Sequence, residues 1–307
     1  MISKLFIGCS GWNYLDAPQN GGWLNSFYPN KKTKTFEYYS QFFDTVEMIQ
    51  TLYKKHYRKM SKDLFTWLTE ISPKDFKMSV KIPWIITDKK RLNIYNKNVI
   101  DDVMLFIDKI SPLKNANKLG AIIIRLPPNF TIKEFRKLEE FLYVIKSNFV
   151  TKSYHYAIEF NDKSWDTKGV LDLLQHYDVS HVISDAPSQT NLKLLTNENY
   201  ITSKSLAVFR LCGRNTYDHM SNYSYSQKEL VTLTEKIKKI KDRTDNTFVY
   251  FSNSYGGKAI VNALQFKEIV NNEPLLETQK NVLDRARNTY PILCKLVIIL
   301  LKHGIKL

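Results

Sequence analysis

The chain contains eight short apolar runs, and nearly every one closes on a polar or glycine-containing signature: GCSGW, TVEM, SVKIP, IIIRLPP, AIEF, VISDAP, FRLCGR and YFSNS. They lie near residues 4 to 8, 44 to 49, 76 to 82, 119 to 126, 154 to 160, 178 to 185, 206 to 212 and 247 to 253. Continuous apolar runs of this length suit strands covered on both faces. Between them the sequence takes on helical period. In NVIDDVMLFIDKI, Val99, Val103, Phe106, Ile107 and Ile110 form one stripe. Thr131 with Glu134, and Ser226 with Glu229, read as capping boxes that open two more helices. Gly256 and Gly257 precede a last helix carrying Ile260, Leu264 and Phe266. Alternating strand and helix implies parallel pairing through right-handed crossovers, in a closed barrel or an open doubly wound sheet. Eight strands without surplus predict an α/β fold: a TIM-type (β/α)8 barrel forming a single domain over residues 1–271. Residues 272–307, polar and then apolar, predict an appended C-terminal helical extension packed on the barrel or at a dimer contact.

A parallel barrel gathers the residues that close its strands at one mouth, where such barrels hold their active sites. The strand ends here carry Glu47, Lys81, Arg125, Glu159, Asp185, Arg210, Arg214 and Asn253. Glu47 and Glu159 are candidates for acid and base work, provided that one carboxyl is raised in pKa and the other ionised. Asp185 is a third candidate, and it reads somewhat better as the N-cap or turn residue before Pro187. Lys81, Arg125, Arg210 and Arg214 are cations able to clamp an anion, with Asn253 beside them. Gly213, Gly256 and Gly257 near strands seven and eight would let backbone amides approach a phosphate. Paired with the carboxylates, the same cations would merely hold the mouth together. Trp12, Trp23, Tyr53, Trp165, Tyr217 and Tyr255 fall in or beside the mouth loops, where aromatic faces can stack bases or sugars. About half of them are expected to face a ligand.

Forty-five Lys and Arg against thirty Asp and Glu leave a formal charge of +15, so an anionic partner is the expectation: a small molecule or single-stranded nucleic acid. The same charge also serves simply to keep a lysine-rich protein soluble. Cys9, Cys212 and Cys294 are widely spaced, which argues against a disulfide framework or a zinc-thiolate site and favours the cytoplasm. The six histidines show no HxH or HExxH spacing, so no metal site is predicted, and a carboxylate-bound magnesium stays open. No cofactor is predicted. The apolar YPILCKLVIILL at 290 to 301 is too short for the roughly 20 residues of a spanning helix, so no membrane partner is expected.

Taken together, GCSGW, FYP at 27 to 29, YYSQFFDTVEM at 38 to 48, Thr51 and Tyr53, DFKMSVKIP, RLPP, IEF with SW, FRLCGR and VYFSNSYGGKAIVNAL are similar to the YecE-like family, the domain of unknown function numbered seventy-two. The resemblance runs from about residue 4 to 270, with the motifs in the family's order. It implies a TIM-type barrel and no settled activity. Three departures stand out. Glu47 is followed by Met48, Ile49 and Gln50 rather than Ile, Asn and a small residue. Arg125 stands where the family commonly has Gln, and Asn161 stands where it usually has Arg. The expected function is binding of a phosphate-containing ligand at the mouth by a candidate hydrolase using general acid/base chemistry. The alternative is a non-catalytic binding or scaffold protein with a structural ion-pair network there.

Overall fold

The computed structural model describes residues 3–95, 98–186, 201–215 and 221–286. Eight strands, β1 (Lys4–Ser10), β2 (Thr45–Met48), β3 (Lys77–Lys81), β4 (Leu119–Arg125), β5 (Tyr156–Glu159), β6 (Ser180–Asp185), β7 (Leu206–Leu211) and β8 (Asn246–Phe251), pair in chain order and close into a barrel. Every pairing is parallel, including the closing one that sets Phe6 opposite Phe248 and Gly8 opposite Tyr250. Between and after them run the helices α1 (Thr35–Tyr39), α2 (Lys54–Tyr57), α3 (Lys62–Ile71), α4 (Val99–Asn115), α5 (Phe135–Ser147), α6 (Lys168–His176), α7 (Gln227–Lys241) and α8 (Lys258–Asn271).

Side chains alternate across each strand, so the barrel has two apolar layers. Phe6, Ala121, Ile123, Ala157, Val208 and Phe248 belong to a cluster filling the interior. Ile7, Val46, Val80, Ile122, Phe209 and Val249 belong to the larger one beneath the helices. The stripe foreseen on α4 is buried there at Val99, Val103, Phe106, Ile107 and Ile110. Above the apolar interior, Tyr250 donates to Ser79 Oγ (2.7 Å) and lies 3.1 Å from Thr45 Oγ1, beginning a polar zone that continues to the mouth.

The expected capping box at Ser226 forms: its hydroxyl accepts from the Glu229 amide, and the Glu229 carboxylate accepts from the Ser226 amide. The one expected at Thr131 does not. Thr131 caps no amide through its side chain, and a 3-10 turn at Ile132–Glu134 precedes α5. Both oxygens of Glu134 are instead engaged by cations: Arg91 Nε at 3.0 Å and Lys137 Nζ at 2.9 Å on Oε2, and Arg91 Nη2 on Oε1.

The aromatic loop after β1 is a plug. Trp23, Phe27 and Tyr28 are buried, and Trp23 Nε1 donates to the Ser254 carbonyl at 2.7 Å, fastening this loop to the one after β8. Residues 277–286 are helical, and Leu275, Val282, Leu283 and Ala286 join the outer apolar cluster, so this part of the C-terminal extension packs on the barrel. The segment 290 to 301 and Cys294 lie outside the described residues, as does most of the 186 to 205 connection. No helix among the described residues is long and apolar enough to cross a membrane.

Candidate functional site at the barrel mouth

Because alternation continues to the ends of the strands, the residues in phase with the inner cluster form the mouth: Ser10, Glu47, Lys81, Arg125, Glu159, Ser184, Arg210 and Ser252, one from each strand or its first following residue. Register sets Ser10 beside Glu47 and Arg125 beside Glu159. The cavity above measures about 340 Å³, and its lining includes Ser10, Tyr53, Lys81, Arg125, Glu159 and Arg210. Gly11, at φ 81°, turns the chain away after β1, and Tyr14 folds back so that its hydroxyl donates to the Ser10 carbonyl at 2.8 Å.

Two cations each bridge the two carboxylates. Lys81 Nζ lies 3.0 Å from Glu159 Oε2 and 3.2 Å from Glu47 Oε1. Arg210 Nε lies 3.1 Å from Glu47 Oε1, and its Nη1 donates to Glu159 Oε1. The remaining Arg210 nitrogen donates to Ser252 Oγ at 3.0 Å, and Ser252, Ser10 and Glu47 Oε2 continue as a chain of contacts. Glu47, Glu159 and Lys81 are almost entirely buried. Arg125 differs: its side chain keeps 36% of its accessibility and approaches Glu159 only to 3.8 Å.

Burial pushes both carboxyls up, but the opposing pull of Arg210 and then Lys81 prevails. Glu47 is held below the usual carboxylate range, and Glu159, with Arg125 adding to the pull, is lowered to about 2. For Arg210, burial disfavours the charge and the two glutamates more than restore it, so its pKa is raised. The two carboxylates are therefore ionised together, rather than split into a protonated acid and an ionised base. With Lys81 and Arg210 charged, the four buried groups sum to zero, and Arg125 leaves the mouth one positive charge in excess.

The other residues singled out from sequence lie elsewhere. Asp185 shares the phase of Ile183, which belongs to the outer cluster, and so points out of the barrel. There it accepts from Arg214 Nε at 3.0 Å, and Arg214 Nη1 continues to Glu229 Oε1 at 2.9 Å, a strut from β6 to the start of α7. Asn253 is out of phase with Tyr250 and Ser252 for the same reason; its amide nitrogen donates to the Tyr223 carbonyl and to Asn262 Oδ1. Trp165 is core, stacked 5.0 Å from Phe160 and donating to the Phe130 carbonyl at 2.6 Å. Trp23 is also buried, and Tyr255 donates to the Gln19 carbonyl. Trp12 lines a neighbouring groove, with its ring edge-on to Phe36. Tyr53, half-exposed, remains at the mouth, and Tyr217 lies outside the described residues.

The glycines expected to admit an anion are engaged with the protein: Gly256 N donates to the Gly21 carbonyl, Gly257 N to the Ser254 carbonyl and Gly213 N to the Tyr225 hydroxyl. Sequence reasoning missed Ser10, Ser252 and Tyr14. The two serines close their runs in phase with the inner cluster, a signal the sequence does contain. Among the described residues, no three His, Cys, Asp or Glu side chains are grouped so as to hold a metal ion.

The sequence model for a protein family of unknown function, DUF72, matches residues 6–284. The UPF0759 protein YunF of Bacillus subtilis is 24% identical over 287 residues, covering 88% of this chain and 95% of its own. A DUF72 family protein of Thermotoga maritima, solved by crystallography, superposes with a TM-score of 0.69 at 26% identity, covering 87% of this chain and 99% of its own. One from Enterococcus faecalis gives 0.70 at 22% identity, covering 89% of this chain and 100% of its own.

Proposed function

The chain belongs to the DUF72 family, and we propose that it binds a small phosphate-bearing ligand at the mouth of its barrel, with Arg125 as the first anchor. One observation carries this reading. Four buried charges neutralise one another, while Arg125, at the rim of the same cavity, has no carboxylate within 3.5 Å. An arginine fork presents several donors to the oxygens of a phosphate, and a cavity of about 340 Å³ lies in the size range of small-ligand sites. Tyr53, exposed beside it, offers a ring to the rest of the ligand. A phosphate seated deeper would compete with Glu159 for Lys81 and Arg210, and the carboxyl that loses its cations would rise toward its ordinary pKa. In this reading, hydrolysis by Glu47 and Glu159 depends on ligand entry, because both are ionised beforehand.

Titration calorimetry with inorganic phosphate at low ionic strength tests the reading. The wild-type protein is expected to bind in the millimolar range or tighter, and Arg125→Ala to bind at least roughly tenfold more weakly. A short single-stranded DNA tests the polyanion version, since several phosphate contacts would give a steep fall of affinity with salt. The second reading, a structural mouth on a binding or scaffold protein, is favoured by the mutual pairing of Glu47, Lys81, Glu159 and Arg210. It gains if neither probe binds.

A further inference from the structure

A second cavity, of about 540 Å³, lies on the far side of the strip that walls the mouth. Trp12, Asn13, Leu15, Met48 and Gln50 line it, whereas the intervening Tyr14 and Ile49 line the mouth. Its outer wall is α3 with the turn before it, contributing Met60, Leu64 and Trp67. Two features distinguish this groove from an ordinary surface crease. The first is composition: two tryptophans and two methionines face one space, and Trp67 is 49% exposed. Thioethers adapt to aromatic faces and tryptophan presents a large rigid one, so the walls favour a flat ring. The second is polarity. Gln50 Oε1 is shielded from solvent and has no hydrogen-bond partner within the protein. A buried amide oxygen left unmade costs roughly 1–3 kcal/mol, which a donor on a ligand would recover.

We propose that this groove is a second binding site, separate from the ion-pair mouth, for a neutral planar aromatic ligand bearing one N–H donor, with the ring among Trp12, Met48, Met60 and Trp67 and the donor on Gln50. Charge plays little part: Lys34 and Glu37 at the rim pair with each other at 3.3 Å. The site does not depend on Arg125, so it stands or falls independently of phosphate binding.

Indole and 1-methylindole are matched probes, since methylation removes the N–H donor and keeps the ring. Titrated into ¹⁵N-labelled full-length protein, indole is expected to shift the side-chain N–H resonances of both Trp12 and Trp67, assigned from Trp12→Phe and Trp67→Phe. 1-Methylindole is expected to bind about three- to tenfold more weakly, the value of one hydrogen bond to a buried acceptor. Gln50→Met should abolish that difference while leaving indole bound. Trp67→Ala, at a half-exposed position on α3, should weaken both probes. The proposal is overturned if millimolar indole moves neither resonance, if the two probes bind wild-type protein equally, or if Trp67→Ala leaves their affinities unchanged.

Discussion

At the mouth, the chemistry rests on how three cations share two buried carboxylates. Glu159 is nearly fully buried between Lys81 and Arg210, so Glu159→Gln strands part of two buried positive charges. A loss of about 3–5 kcal/mol is expected in urea-unfolding free energy. Arg125→Ala removes a half-exposed group 3.8 Å from its partner and should change that free energy by less than about 1 kcal/mol while weakening phosphate binding. Dissociating stability from binding in this way separates an anchor from a strut. The pH dependence has a definite sign. Glu159 is depressed to about 2 in the folded protein, so its contribution is present above its ordinary carboxylate pKa and is lost as pH falls from about 4.5 toward 2. Urea midpoints measured from pH 7 down to pH 3 should therefore fall in the acid limb for the wild type, and fall less steeply for Glu159→Gln.

At the scale of elements, alternation decides which end-of-strand residues meet. Asp185 and Ser184 are adjacent in sequence, yet one faces Arg214 and α7 while the other faces the barrel axis. Reading each run with a period of two from its innermost apolar residue would have separated Glu47, Lys81, Arg125, Glu159 and Arg210 from Asp185 and Asn253. Arg214 and Trp165 sit beyond the strands, where no period applies, and their partners are contributed by α7 and by the β4–α5 loop. Helix starts show a similar division. The Ser226 box is local and forms, whereas Thr131 and Glu134 have the same spacing and Glu134 is taken by Arg91, 43 residues away. Ser226→Ala should accordingly cost about 1 kcal/mol in unfolding free energy, and Thr131→Ala close to nothing, in the same urea titration.

At the scale of the whole molecule, part of the +15 charge has a structural use remote from the mouth. Lys118 Nζ donates to the Thr69 and Ser72 carbonyls at the end of α3, Lys77 to the Asn117 carbonyl after α4, and Lys267 to the Phe42 carbonyl. These lysines satisfy carbonyls at helix ends and in the adjoining turns on the face opposite the mouth, where cations are favoured. Net charge is therefore a weak guide to a nucleic-acid partner here. The C-terminal extension is also coupled to the barrel. Truncation after residue 271 removes Leu275, Val282, Leu283 and Ala286 from the outer cluster and should lower the melting temperature by several degrees in a calorimetric scan.

The sequence by itself determined the eight parallel strands, the helices between them, the barrel they close into and the family to which the chain belongs. These follow from local period and from motifs that recur in order, and both survive any rearrangement of side chains. It also placed Glu47, Lys81, Arg125, Glu159 and Arg210 at strand ends, and hence at one mouth. Only the tertiary structure decided that Lys81 and Arg210 are shared between both glutamates, that both carboxyls are consequently ionised, and that Arg125 alone of the five retains a long, open contact. Those outcomes depend on distances of about 3 Å between residues as many as 163 positions apart, and on burial that removes competing water. Electrostatic energy varies steeply with separation and local polarity, and no spacing along the chain specifies either.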